Sequence, residues 1–217
     1  MGIIKMRKTV LDKYNIQINE SEKYIQINDV IQIDKIWPFI SQEYIGYQID
    51  FCYHDIIPPY DILKSIGAFI CDDAIRMVIE KKVNFEDICC KIVRINKENY
   101  DCFARYHDRM NPNVYWNSQR LLSCLDEWSI FAIIDDKNIY GYIMTSQWNN
   151  DIAEIFVLEA NSSKLGKLLL QKAVDDALIT NHKKIIFMTD KSSSEYLWAH
   201  QIGFEEHGYY KAFRIQI

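Results

Sequence analysis

Residues 154–167 read EIFVLEANSSKLGK, and two kinds of chemistry meet in them. The second half looks like the start of a helix. Ser162 and Ser163 are capping residue types, and a helix N-terminus offers unpaired N–H groups and a partial positive charge to a phosphate-bearing ligand. Lys164 and Lys167 add cations there. Turns of this kind usually carry two or three glycines so that backbone amides can approach phosphate closely; this one has only Gly166. The first half reads as a strand over 152–158. Strict alternation puts Ala153, Ile155 and Val157 on one face, and Ile152, Glu154, Phe156 and Leu158 on the other. A carboxylate that shares a face with three apolar residues is unusual at a solvent-facing position, and two readings stay open for Glu154, a general base and a solvated strand side chain.

The elements that must position these residues follow from their periods. Leu165, Leu168, Leu169, Ala173, Ala177 and Leu178 recur at three- and four-residue spacing, with Lys164, Lys167, Gln171 and Asp175 opposite, so an amphipathic helix covers a sheet. KIIFMT (184–189) is a short buried strand. SSSEYLWAHQIGF is a capped helix stopped by Gly203, and the alternation of GYYKAFRIQI makes a last strand. Upstream, ICCKIVRI (88–95) is a strand, and Asn96 caps a helix over 97–109 that stops at NPN (111–113). SQRLLSCLDEW begins a second helix at Asn117 or Ser118. SIFAIIDD and NIYGYIMTS form a hairpin across Asp135–Asn138. Nearer the N-terminus, Ile-Gln-Ile occurs at 16–18, 25–27 and 31–33, which suits half-buried strands. GAFICDDAIRMVIE (67–80) reads like residues 130–144, as a second hairpin or as a partial copy of the same half-sheet; both readings stay open.

Composition narrows the partners. The chain has 217 residues, 49% of them apolar, and a net charge of −5. That is enough for one large domain or two small ones, and it argues against nucleic acid or an anionic membrane as the main partner. No apolar run approaches the ~18 residues of a membrane helix. The opening MGIIKMRKTV has no targeting pattern, so a cytoplasmic protein is expected. The six cysteines form no C-x-x-C pair and read as small buried apolar residues. The five scattered histidines offer no metal site.

The order strand, helix, helix, hairpin, strand, helix, strand, helix, strand over residues 88–217 resembles the GNAT superfamily of N-acetyltransferases. Two segments carry the likeness. AEIFVLEANSSKLGKLLLQKAV matches the family's strand, turn and helix, and EYLWAHQIGFEEHGYYKAF matches its penultimate helix, Gly-Phe stop and final hairpin. The resemblance implies an α+β fold with a mixed central sheet flanked by helices over 87–217; residues 1–86 lie outside it and are read as a smaller N-terminal α/β module whose fold the sequence leaves open. It implies acetyl-CoA held where two parallel strands splay apart, and direct attack by an amine in a ternary complex. It makes Glu154 the base, a backbone N–H of Val157 or Leu158 the donor to the thioester carbonyl, and Phe156, Val157, Leu158, Ser162, Ser163, Lys164, Leu165, Gly166 and Lys167 the cofactor-binding stretch. Ser192 stands where a cofactor-contacting Asn is frequent.

This sequence departs from the family pattern in two places. In the Q/R-x-x-G-x-G/A turn only Gly166 fits well, with Lys164 on the first glycine and Asn161 on the Gln/Arg. Ala199 replaces the tyrosine that serves as acid on the leaving thiolate; Tyr196, about one turn before it, is the candidate for that role, with an interfacial core tyrosine as the other reading. Two other readings therefore remain beside an acetyltransferase acting on a small-molecule or peptide amine. They are a non-catalytic CoA-binding or sensing protein, and a structural domain that keeps only the fold.

Overall fold

The computed structural model describes residues 14–80, 90–112, 114–135, 138–146 and 151–217. The chain forms two compact units: residues 1–75 with 208–217, and residues 76–207. The sequence set the last strand wholly with the second region; here its residues from Gly208 onward group with the first unit.

In the first unit, β1 (Asn15–Asn19) and β2 (Tyr24–Asn28) are antiparallel, β2 is parallel to β3 (Gln48–His54), and β3 is antiparallel to β10 (Glu205–Gln216). The alternation predicted for Ile-Gln-Ile holds in β2, whereas in the edge strand β1 Ile16 is half-buried and Ile18 is exposed. Ile25 and Ile27 point inward with Ile49, Phe51, Tyr53, Phe213 and Ile215, under α1 (Ile33–Glu43) and α2 (Tyr60–Ser65). The third Ile-Gln-Ile is no strand: Ile33 opens α1 and is buried with Ile36 and Ile40 at helical spacing. The pairing of 67–80 with 130–144 as two hairpins also fails. Phe69–Ile79 is one continuous strand, β4, running straight through Asp72-Asp73. Two acidic residues without a glycine do not force a turn where flanking apolar residues favour extended chain.

The second unit carries a sheet in the order β9-β8-β7-β6-β5. Its strands are β5 (Ile92–Arg94), β6 (Trp128–Asp135), β7 (Asn138–Ser146), β8 (Ile152–Ala160) and β9 (Lys184–Thr189), all antiparallel except the β8–β9 pair. The expected hairpin is present: Asp135 pairs with Asn138. The strand expected at 88–95 is shorter, and its first two residues lie outside the described residues. Helix α3 (Tyr100–Met110) starts later than Asn96 predicts. Asn96 instead closes a turn, its Oδ1 accepting from the amides of Glu98 and Asn99. Helix α4 is Ser118–Ser123, with the Asn117 side chain accepting from Arg120, and a 3₁₀ turn at Leu125–Glu127 follows it. Tyr100, Phe103 and Leu121 of α3 and α4 pack on Trp128, Ile130, Ala132, Tyr142 and Met144.

Helix α5 (Ser163–Ile179) packs against β6, β7 and β8, and α6 (Ser194–Gln201) packs against α5. The buried stripe of α5 is broader than its leucine spacing predicts, with Gly166, Leu170 and Val174 buried as well. A single apolar stripe answers to one neighbour, whereas α5 has a sheet and a helix. In place of the expected final hairpin, the chain ends in one strand, β10, of 12 residues. No described helix is long and apolar enough to cross a membrane.

Candidate active site

The two parallel strands of the second unit start together and then part. Ile152, Ala153, Glu154 and Ile155 face Lys184, Ile185, Ile186 and Phe187 in turn, and the pairing stops there. Strand β8 continues to Ala160 while β9 ends at Thr189. At the same point β8 bulges against β7: Thr145 faces Ile155 and Met144 faces Val157, leaving Phe156 as the extra residue. A bulge bends its strand and re-aims the side chains beyond it.

The bulge overturns one sequence expectation. Val157 does not share a face with Ala153 and Ile155. It packs with Tyr142 and Met144 on the α3 and α4 side. Cross-strand partners share a face, so the same side carries Glu154, opposite Ser146, which in turn is opposite Trp128. Glu154 is half-buried in that row. Alternation alone could not show this, because one extra residue flips every later side chain.

The bulge also selects a backbone donor. The amide of Asn161 donates to the Tyr140 carbonyl of β7. In an antiparallel pair the direction alternates residue by residue, so Glu159 and Val157 point to β7 while Leu158 and Ala160 point away from it. Of the two donors considered, Leu158 is the one whose N–H faces the gap.

At the start of α5, the Ser162 side chain caps the helix by accepting from Leu165, and the Gly166 amide donates to the Ser162 carbonyl. Ser163 and Lys164 are exposed; Lys167 is half-buried. Gly166 has ordinary helical backbone, so its need for glycine is not conformational. A Cβ there would lie 2.3 Å from two ring carbons of Trp198. The glycine lets α6 lie against α5, a packing reason that a turn motif does not reveal.

Tyr196 is buried in α6. Its hydroxyl donates to Glu206, and its ring meets His200 at 4.7 Å. Glu206 also pairs with Lys191 at 3.3 Å and with His200 at 3.6 Å. The hydrogen bond to Glu206 raises the Tyr196 hydroxyl above the usual phenol value and lowers the Glu206 carboxyl. Ser192 donates through its amide and hydroxyl to Asp190 at 2.6 and 2.7 Å, which lowers that carboxyl. The structure thus draws Glu154, Phe156, Val157 and Leu158 together at the bulge. It sets Ser162, Ser163, Lys164, Leu165, Gly166 and Lys167 at the following helix start, and engages Tyr196 and Ser192 with other partners.

Two features escaped the sequence reading. Glu159 is half-buried and opposite Tyr142; burial, and then the charge of Glu195, raises its carboxyl above the usual range. His107 is wholly buried. Its Nε2 lies 2.7 Å from the Trp116 carbonyl and must donate to it, so Nδ1 accepts from the Tyr142 hydroxyl at 2.8 Å. Asn111 donates to that same hydroxyl, and burial lowers the His107 pKa. A helical i, i+3, i+7 spacing of Tyr100, Phe103 and His107 was the available signal. Of the described cysteines only Cys52 is buried; Cys71 is exposed and Cys90, Cys102 and Cys124 are intermediate. That corrects the expectation of uniformly buried thiols, since strand and helix rims hold small residues as readily as the core does. Among the described residues no group of three side chains could hold a metal ion.

No family profile and no characterised protein sequence matches the chain. Solved structures do. A GCN5-related N-acetyltransferase from Kribbella flavida matches with a TM-score of 0.60 at 8% identity, over 97% of this chain and 94% of that one. One from Sphaerobacter thermophilus matches at 0.66 and 10% identity, over 93% and 77%. A conserved protein of unknown function from Staphylococcus epidermidis matches at 0.64 and 11%, over 89% and 84%. The chain has the fold of the GNAT acyltransferases, a mixed central sheet flanked by helices. At 97% coverage, the likeness takes in residues of both units.

Proposed function

We propose that the protein is an N-acetyltransferase that moves an acetyl group from acetyl-CoA to an amine by direct attack. The observation that carries this reading is the parting of β8 from β9 at Ile155 and Phe187, with the bulge at Phe156 in the same place. The donor set suits a nucleotide thioester: Ser163, Lys164 and Lys167 surround a helix start able to hold phosphates, and Leu158 turns an N–H into the gap. Acetyl-CoA supplies the acetyl group as an activated thioester.

In this reading Glu154 takes the proton of the attacking amine, directly or through a water. The Leu158 N–H holds the thioester oxygen as negative charge develops on it. Phe156 and Val157 flank the acetyl group. Tyr196 is a poor acid while its proton bridges to Glu206, but a thiol of pKa ~8.5 leaves tolerably without help. Ser192 contributes its hydroxyl only if Asp190 releases it. The acceptor is a small-molecule or peptide amine, and the setting is the cytoplasm.

Calorimetry with acetyl-CoA, followed by CoA release over an amine panel, tests the proposal. Binding in the micromolar range and turnover of at least one amine are expected; absence of heat at millimolar acetyl-CoA refutes it. A non-catalytic CoA-binding protein is the second reading, favoured by the engagement of Tyr196 with Glu206 and by Ala199 in place of a tyrosine. Binding without turnover of any amine would select it.

A further inference from the structure

A cavity of about 400 Å³ lies in the second unit, bounded by the β5–α3 connection, the end of α4 and the 3₁₀ turn. Ligand pockets run from roughly 300 to 1,000 Å³, so this one suits a small molecule. The cavity opens to solvent; Ile95, Leu122, Leu125 and Trp128 form its apolar wall, and Arg94, Asn96, Lys97, Ser123 and Asp126 complete the lining. Trp128 is almost wholly buried, whereas Leu122 is 48% exposed.

Two opposite charges also line the cavity, Lys97 and Asp126. Neither has an ion-pair partner among the described residues. Arg94 lines it too, but is engaged, 3.6 Å from Asp176 and 5.7 Å from the Phe131 ring centre. Other polar groups here are spoken for: the Asn96 Oδ1 accepts from two backbone amides, and the Ser123 hydroxyl donates to the Arg120 carbonyl. An open pocket with one apolar wall and, among the described residues, an unpaired cation and an unpaired anion complements a molecule that carries both charges on an apolar body.

We propose that this cavity is a binding site for a small zwitterion with an apolar ring body, the chemical class of an aromatic amino acid. Lys97 takes the carboxylate, Asp126 takes the ammonium, and the ring lies among Leu122, Leu125 and the Trp128 indole. Trp128 also connects the cavity to the bulge, its ring 5.1 Å from that of Phe156 and nearly perpendicular to it. Occupancy of the cavity therefore touches the strand that parts from β9. The proposal concerns binding and stands apart from acetyl transfer.

Three probes decide it by calorimetry without acetyl-CoA: L-phenylalanine, phenethylamine and 3-phenylpropionate. L-Phenylalanine is expected to bind at least about tenfold more tightly than either singly charged probe, the equivalent of one charge-assisted contact. Leu122→Arg is expected to remove this binding, and Lys97→Glu to lower L-phenylalanine to the level of phenethylamine. Both positions line the rim, so folding of each variant is checked by its melting temperature. No heat with any probe at millimolar concentration overturns the proposal. Equal affinity for all three, or unchanged affinity in both variants, does the same. Because no acyl donor is present, these outcomes are independent of whether acetyl transfer occurs.

Discussion

Each unit contains a pair of parallel strands among its described residues, β2–β3 and β8–β9, and the two pairs differ in how they end. In the first unit β2 and β3 stay together through all five residues of β2, from Tyr24 opposite Gln48 to Asn28 opposite Cys52. Beyond that end the Asp29 amide donates to the Cys52 carbonyl, and the Asp29 side chain accepts from the His54 amide. In the second unit β8 and β9 separate after four pairs, at a bulge. Backbone groups along a closed pair satisfy one another, whereas those along a parted pair face a space that a ligand can enter. Each pair also carries a carboxylate at least partly shielded from solvent. Asp50 of β3 is buried and accepts from Arg214 at 2.8 and 2.7 Å and from the Tyr24 hydroxyl at 3.2 Å. Glu154 of β8 stands in a row with Ser146 and Trp128, next to the bulge. The same functional group, a carboxylate, is structural where the strands close and is proposed to be chemical where they open.

Substitution of the two carboxylates probes this contrast most strongly. Glu154→Gln is expected to lower kcat about 10²-fold with little change in acetyl-CoA affinity, partly recovered at high pH where the amine is already neutral. Wild-type turnover by that variant across pH 6 to 9 would make Glu154 structural too. Asp50→Asn should do the reverse, costing about 3 kcal/mol in chemical denaturation because Arg214 loses its partner, while turnover per folded molecule is kept.

Gly166 separates packing from ligand contact. Gly166→Ala is expected to cost about 2 kcal/mol by forcing a methyl into Trp198, read as a fall in melting temperature. Combination with Trp198→Leu should cost less than the sum of the two single changes. Strict additivity would show that the helices do not need the glycine to meet.

His107 gives a smaller, pH-dependent effect. Burial holds its pKa below the ordinary value, so the unfolded chain takes up a proton first as pH falls below about 6.5. The stability from neutral His107 is present in full above that pH and declines below it. Denaturation at pH 7.5 and 5.5 should show a difference of about 1 kcal/mol from this group, diminished in His107→Gln. The smallest effect is that of Tyr196→Phe, expected to leave turnover within about threefold of wild type. A loss approaching that of Glu154→Gln would restore Tyr196 as the acid and show that Glu206 gives up its hydrogen bond during turnover.

Local periodicity settled what one element and its solvent can decide. The strands at 138–146 and 184–189, the capped helix starts at Ser162 and Ser193, the hairpin across Asp135–Asn138 and the stop at Gly203 were all legible. These depend on spacing, caps and backbone freedom within a few residues. The family likeness was legible for the same reason, since it rests on the order of such elements. The fate of the third Ile-Gln-Ile and of Asp72-Asp73 was not, because neighbouring elements overrode the local pattern. Nor was the face of Val157, which one inserted residue reversed. Only the fold decided that Gly166 lies under Trp198, that Tyr196 takes a carboxylate partner, and that His107 and Tyr142 share a hydrogen bond. These are contacts between segments 10 to 35 residues apart and more, and a sequence read in short windows holds no record of them.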